Sequence, residues 1–460
     1  GDDAAKLVLS EGALTCTDAV DAGTDYTVDV PIDIGANAIN LTIPSNGTFR
    51  LTGGITGTGN VTLNGSAKAG CTHGSAPHAT TDGGVFYLGG TNDFAGDLKV
   101  DAAVLHLSGV LGVENDTKKF TFGASTGTAS PTGVVHGNLI LDGVECRKEV
   151  SINSLGQSTG VSNVQSAVVF TENTTNVFKK LFTFGASNYI TLREGSRVVF
   201  DGGYKCTASQ DMNTRGATID FNGPITVTDT AKGRFQLAAV GSGSTFNFNA
   251  TGSVIGMYVN IGPNSASVNV DDPFTSIGSY TQVGYGDTKT YGLSFFTLNG
   301  GHRYTTPGFR GLVSSVICGT GTLKVTGGSA SESDNLGAYS KGRFTESANV
   351  ELALVEDGIF TFYANFANTS TGLLTVSSGT AKFNAGANWA GDIRVNGGAL
   401  NLLGNVKLAD GRNLYIGDSV EPAEEGTYGA IGSGAKHEVS WITGAGKLRI
   451  GNAGMLFIVK

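Results

Sequence analysis

Charge, proline and helix-forming runs are all scarce in this chain. Asp, Glu, Lys and Arg make up 15% of 460 residues, and the formal net charge of -9 is spread thinly. With no basic surface to neutralise phosphates, nucleic acid and acidic membranes are poor partners. Proline occurs 9 times, and runs of Leu, Ala, Glu and Lys are missing, which argues against helices. No apolar run approaches the ~20 residues that a membrane-spanning helix needs. Five cysteines (Cys16, Cys71, Cys146, Cys206 and Cys318) lie far apart without a CxxC pair, so neither a zinc ribbon nor a thioredoxin-like motif is expected. In an oxidising compartment they allow two disulfides and one free thiol; five small buried residues are the alternative. Nucleophile elbow, P-loop and dinucleotide fingerprints are also missing.

What the chain has is glycine, 70 residues, about twice the usual share. Ser, Thr and Asn are abundant, and 40% of residues are hydrophobic, enough for a core. The apolar residues alternate: Leu7 and Leu9, Ile39, Leu41 and Ile43, Val61 and Leu63, Leu139 and Leu141. Period-two alternation means strands with one face buried and one wet. One phrase returns at long distance. Residues 83–109 (GGVFYLGGTNDFAGDLKVDAAVLHLSG) align without a gap on residues 378–404 (SGTAKFNAGANWAGDIRVNGGALNLLG). Phe94 falls on Trp389, Asp97 on Asp392, Val100 on Val395, Leu105 on Leu400 and Leu107 on Leu402. A repeated phrase implies a modular fold in which each unit buries its apolar edge against the next.

Two all-β architectures fit short strands with corner signals. Asn-Gly and Asp-Gly pairs, as at Asn46-Gly47 and Asp142-Gly143, favour hairpins and a multi-domain antiparallel β-sandwich. The long-range repeat favours an elongated β-solenoid with coils of ~20–25 residues, and that reading is preferred. It divides the chain into N-terminal strands or a cap over 1–50, a solenoid over 51–410 and a closing module over 411–460. Loop insertions are expected near 66–82, 110–132 and 145–166, where the rhythm breaks.

The pattern GxGxLxLxG, then Phe/Trp-x-Gly-x-Leu/Ile-x-Val and a Leu-x-Leu-x-Gly strand, resembles the autotransporter-associated β-strand repeat, also called the passenger-associated transport repeat. Residues 94–109 and 389–404 carry it. Residues 414–430, ending in Gly-Thr-Tyr-Gly-Ala, and then 442–450 resemble the closing module of repeat-rich bacterial surface proteins, where a strand is followed by a turn and a final strand. The resemblance implies a right-handed parallel β-helix, secreted or displayed on a bacterial surface, with a structural or adhesive role. The sequence opens on Gly1-Asp2-Asp3 without methionine, as removal of a targeting segment or trimming would leave it. No membrane barrel follows Trp441, a departure from autotransporters that fits a processed passenger or a free-standing relative.

Three clusters are candidates for chemistry. Cys71, His73, His78 and Asp82 share one stretch with zinc-ligand residue types, but their spacing matches no standard finger. His302, Arg303, Tyr304 and Arg310 are the best set for β-elimination on a uronate chain. Close acidic pairs such as Asp271-Asp272 point to opposite faces of a strand and build no catalytic pair. Tyr280, Tyr285, Tyr291 and Tyr304 are candidates for an aromatic row that grips surface glycans. Seven Asn-x-Ser/Thr triplets, including Asn368, are at chance level in so polar a sequence. No catalysis, metal or cofactor is expected. The favoured function is a non-catalytic extracellular subunit of a surface fibre, sheath or layer. Head-to-tail self-association is expected through apolar terminal strands: Leu7, Val8 and Leu9 at one end, Met455, Leu456, Phe457, Ile458 and Val459 at the other. A carbohydrate-binding adhesin and a polysaccharide lyase or hydrolase on the same fold are the alternatives.

Overall fold

Strands of four or five residues are too short to hold a core alone, so they are stacked. The structure is a computed structural model and describes residues 6–9, 25–43, 47–65, 84–101, 103–123, 138–153, 167–185, 189–207, 210–228, 234–237, 243–250, 253–255, 258–262, 266–270, 274–276, 280–284, 293–328, 338–365 and 367–451. Among them there is no helix, and therefore none long and apolar enough to cross a membrane, which says nothing of membrane-spanning strands. The chain forms a parallel β-solenoid and divides into two compact units, Gly1–Arg234 and Phe235–Lys460.

In the first unit a coil carries three strands, or two where the first pair is fused. One coil runs Val85–Leu88, Thr91–Phe94, Leu98–Asp101. In the next, the first two strands fuse into Val104–Leu111, and Lys119–Phe122 follows. Each strand pairs in parallel with its counterpart one coil on. Leu98 faces Phe120 and Phe120 faces Val150; Phe182 faces Tyr204 and Tyr204 faces Ile225. Among the described residues the one antiparallel pairing joins Gly426–Gly429 to Lys447–Ile450. The hairpin-built sandwich is therefore not the fold. Asn-Gly and Asp-Gly serve as coil corners: Asp142 and Gly143 lie inside the strand Asn138–Cys146, at a register shift against its neighbour.

Alternation places the core. In Ile39–Ile43, Ile39, Leu41 and Ile43 are buried while Asn40 and Thr42 are exposed. Because pairing is parallel and in register, like stacks on like. Phe178 lies 5.4 Å from Phe200, with rings 19° from parallel, and Phe200 lies 5.5 Å from Phe221. In the second unit Phe362 stacks on Phe383 at 4.8 Å. Offset stacking of this kind adds to the area each ring buries.

The repeated phrase encodes a coil and its tightest corner. Phe94 and Trp389 are fully buried. Two residues on, a Cβ at Gly96 would overlap the Gly59 carbonyl oxygen, and one at Gly391 that of Gly372, so only glycine lets the two coils close up. The next residue ties three coils together. Asp97 Oδ1 accepts the Lys119 N–H at 2.9 Å, and Asp392 Oδ1 accepts the Asn413 N–H at 2.8 Å. Their own carbonyls accept from the preceding coil, Val61 N–H at 2.8 Å and Leu374 N–H at 2.9 Å.

The segments expected as insertions are described only in part. Residues 66–82 lie outside the described residues. Those at 110–132 and 145–166 begin inside coils: the end of Val104–Leu111 and Lys119–Phe122 lie in the first, and the end of Asn138–Cys146 and Glu149–Ile152 in the second, while 124–132 and 154–166 lie outside the described residues. Polar residues such as Lys119 and Glu149 sit on outer positions and form an ion pair at 3.0 Å, which hides the strand rhythm. Coil pairing also runs through the first 50 residues, where Asp25–Val28 pairs with Thr48–Leu51.

In the second unit the last coils hold two strands each, as in Thr380–Phe383 with Ile393–Val395. A four-stranded sheet follows: Val406–Lys407, Lys447–Ile450, Gly426–Gly429 and His437–Glu438. The Gly-Thr-Tyr-Gly segment, expected as a turn, is one of its strands. Tyr428 stacks on His437 at 4.4 Å and on Trp441 at 6.4 Å.

Candidate functional site

The outer surface of the first unit carries a column that includes two stacked rings. Register brings Arg50 opposite Tyr87, Tyr87 opposite His106, and His106 opposite Ile140. The Arg50 guanidinium lies 3.8 Å from the centre of the Tyr87 ring. Tyr87 and His106 stack at 4.2 Å with rings 16° from parallel. Arg50 Nε is held by both oxygens of Asp25, at 3.0 and 2.8 Å.

Beside this column runs a shallow groove of about 170 Å³. With the two rings, Gly89, Thr52, Ser108, Asp142 and Thr171 line it. A Cβ at Gly89 would meet Ser108 Oγ at 3.3 Å. Thr171 Oγ1 donates to Asp142 Oδ1 at 2.7 Å, and no hydrogen bond reaches the other Asp142 oxygen from the described residues. Burial pushes His106 down to about 4, aided by the Arg50 charge and opposed by Asp142. The imidazole is therefore neutral near pH 7.

A second polar cluster is sealed inside the same unit. Lys148 Nζ donates to the Phe94 carbonyl at 2.9 Å, the Gly96 carbonyl at 2.7 Å and Asp116 Oδ2 at 2.6 Å. It also lies 4.6 Å from the centre of the Phe94 ring. Asp116 accepts from the backbone N–H of Val113 and Lys118. Both side chains are inaccessible, at 0% and 1% exposure. All three ammonium protons are used, so this group works as a clamp and not as a reactive amine. Cys146 is buried nearby, and burial pushes its thiol up to about 12, which makes it inert. Cys206 and Cys318 are buried as well.

The residues expected to carry chemistry are not gathered. Tyr304 is 2% exposed; its hydroxyl meets Thr281 Oγ1 at 2.6 Å inside the core. Arg303, its strand neighbour, is on the outside and pairs with Glu351 at 3.0 Å. Arg310 belongs to another face, opposite Tyr339, with its guanidinium 4.0 Å from the Tyr280 ring centre. His302 sits at a corner, its N–H bonded to the Asn299 carbonyl. The expected aromatic row is likewise broken: Tyr304 points inward, and Tyr285 and Tyr291 lie outside the described residues, as do Cys71, His73, His78, Asp82 and Met455, Leu456, Phe457, Ile458 and Val459. Among the described residues no three His, Cys, Asp or Glu gather as metal ligands. Asn368 is 3% exposed and bonded to Asn388, out of reach of any modifying enzyme in the folded chain.

Leu7 and Val8 form an edge strand, 38% and 58% exposed. The N–H groups of Leu7 and Leu9 bond to the carbonyls of Pro31 and Asp33 on one side. Among the described residues nothing pairs with the other side.

Sequence reading missed the groove because its parts come from five coils. The outward alternation of Tyr87 and His106, both inside the repeated phrase, was the available signal. Compared with protein-family models, curated proteins and solved structures, the chain matches none.

Proposed function

We propose that this chain is a non-catalytic structural protein of a bacterial surface, an exported solenoid that serves as a subunit of a fibre, sheath or layer. The supporting observation is where its side chains are spent. Ion pairs such as Lys119–Glu149 and Lys179–Asp201, amide pairs such as Asn247–Asn269, and the stacked Phe ladders all join one coil to the next. A surface devoted to holding coils together is that of a spacer or scaffold. The resemblance of residues 94–109 and 389–404 to the autotransporter-associated repeat supports export. Subunits join head to tail through terminal strands, and the apolar strand at Leu7 and Val8, whose second edge meets no partner among the described residues, supports this, since such an edge adds a strand from a neighbour.

Electron microscopy and sedimentation of the purified chain test the reading, beside a Leu7→Lys/Val8→Lys variant. Ordered polymers from the parent chain and folded monomers from the variant are expected. Monomers from the parent chain at all concentrations and salts, or unchanged polymers from the variant, would reject assembly through this edge.

A further inference from the structure

We infer that the groove beside Tyr87 and His106 binds a neutral saccharide. The first argument is that the fold does not require these residues. In the second copy of the phrase the inward positions keep their character, with Leu105 and Leu107 matched by Leu400 and Leu402. The four outward positions of the phrase at the groove change: Tyr87 becomes Lys382, Gly89 becomes Asn384, His106 becomes Asn401 and Ser108 becomes Leu403. The strands Thr380–Phe383 and Ala399–Leu402 still pair in the same register, so the outer set is free to be chosen for something else.

The second argument is chemical. Arg50 is spent on Asp25, and the neutral His106 adds no charge near pH 7, so nothing in the groove draws an anion. Asp142 offers a carboxylate oxygen with no partner among the described residues, beside the Ser108 and Thr171 hydroxyls. Ile140, partly exposed, supplies apolar surface beside it. A sugar ring presents that combination in reverse, C–H patches rimmed by hydroxyls that donate to a carboxylate and exchange hydrogen bonds with hydroxyl side chains. The ring faces of Tyr87 and His106 cover each other, so the ligand meets their edges. At about 170 Å³ the groove takes a short stretch of ligand and leaves the rest in solvent. One stretch of a longer glycan, held weakly and multiplied across many copies, is the mode that suits a surface protein.

The test is saturation-transfer NMR and calorimetry of the full chain against neutral cello-, xylo- and manno-oligosaccharides. Oligogalacturonate serves as the anionic probe and spermidine as the cationic one. Gly89→Asn installs the residue of the second copy and fills the groove; Asp142→Ala removes the acceptor on an exposed rim. Circular dichroism checks that both variants are folded. The expected result is binding of at least one neutral oligosaccharide, weakened by roughly tenfold or more in both variants. The inference is overturned if no neutral oligosaccharide binds, if only oligogalacturonate or spermidine binds, or if both folded variants bind as well as the parent chain.

Discussion

The corners at Phe94 and Trp389 occupy the same place in the same phrase, yet each satisfies its buried polar groups differently. Trp389 carries its own donor: the indole N–H reaches the Gly372 carbonyl at 3.1 Å and the Asp392 carbonyl at 3.2 Å. Phe94 has none. There the donor comes from Lys148, 54 residues on, which reaches the Phe94 and Gly96 carbonyls and brings Asp116 to balance its charge. Glycine and aspartate are kept in both, because coil spacing and the next coil's N–H require them whichever aromatic is present. Backbone contacts between coils are thus the invariant of the fold, and side-chain chemistry at a corner is open to local solutions.

Breaking the imported clamp should have the largest effect. Lys148→Met leaves a carboxylate buried without its cation, at a cost of about 3–5 kcal/mol. Adding Asp116→Leu should recover much of it, since an apolar pair of similar size is often tolerated. Urea unfolding of the two variants measures both, and an unchanged midpoint for Lys148→Met would show that the clamp carries no stability. Gly96→Ala and Gly391→Ala should both destabilise, by roughly 1–3 kcal/mol as coils are pushed apart; unequal losses would mean that the two corners are not equivalent. Trp389→Phe should cost about 1–2 kcal/mol for the lost donor, and the reciprocal Phe94→Trp should not compensate for Lys148→Met, because the lysine serves different carbonyls.

The outer face gives the smallest effect and a sharper contrast. The fold holds His106 near 4 against an ordinary 6.5, so the unfolded chain takes the proton first as pH falls. Its neutral form therefore supports the fold fully above about pH 6.5, and that support is lost progressively down to about pH 4. His106→Asn, the residue of the second copy, should flatten this part of the melting-temperature profile. Parallel profiles for the two proteins would contradict the assignment.

Coil architecture was legible because it depends on local patterns: alternation at Ile39, Leu41 and Ile43, and a phrase with glycine and aspartate at fixed positions. The clamp was not legible. Lys148 follows Arg147 in a polar run that reads as a solvated loop, and only the stacking of two later coils carries it under Phe94. Tyr304 was misplaced for a related reason. Beside His302 and Arg303 it reads as part of a polar patch, whereas strand alternation turns it inward to Thr281. The candidate groove needs Arg50, Tyr87, His106, Asp142 and Thr171 from five coils, a juxtaposition set by insert lengths that no local pattern encodes.

Electron spin resonance of paired labels tests the stacking of coils most directly. With the native cysteines replaced, labels at Thr183→Cys and Lys205→Cys sit opposite one another on adjacent parallel strands, about 4.8 Å apart between backbones. Strong dipolar broadening is predicted for this pair and equally for Lys205→Cys with Thr226→Cys. Spectra of isolated, non-interacting labels would contradict the solenoid.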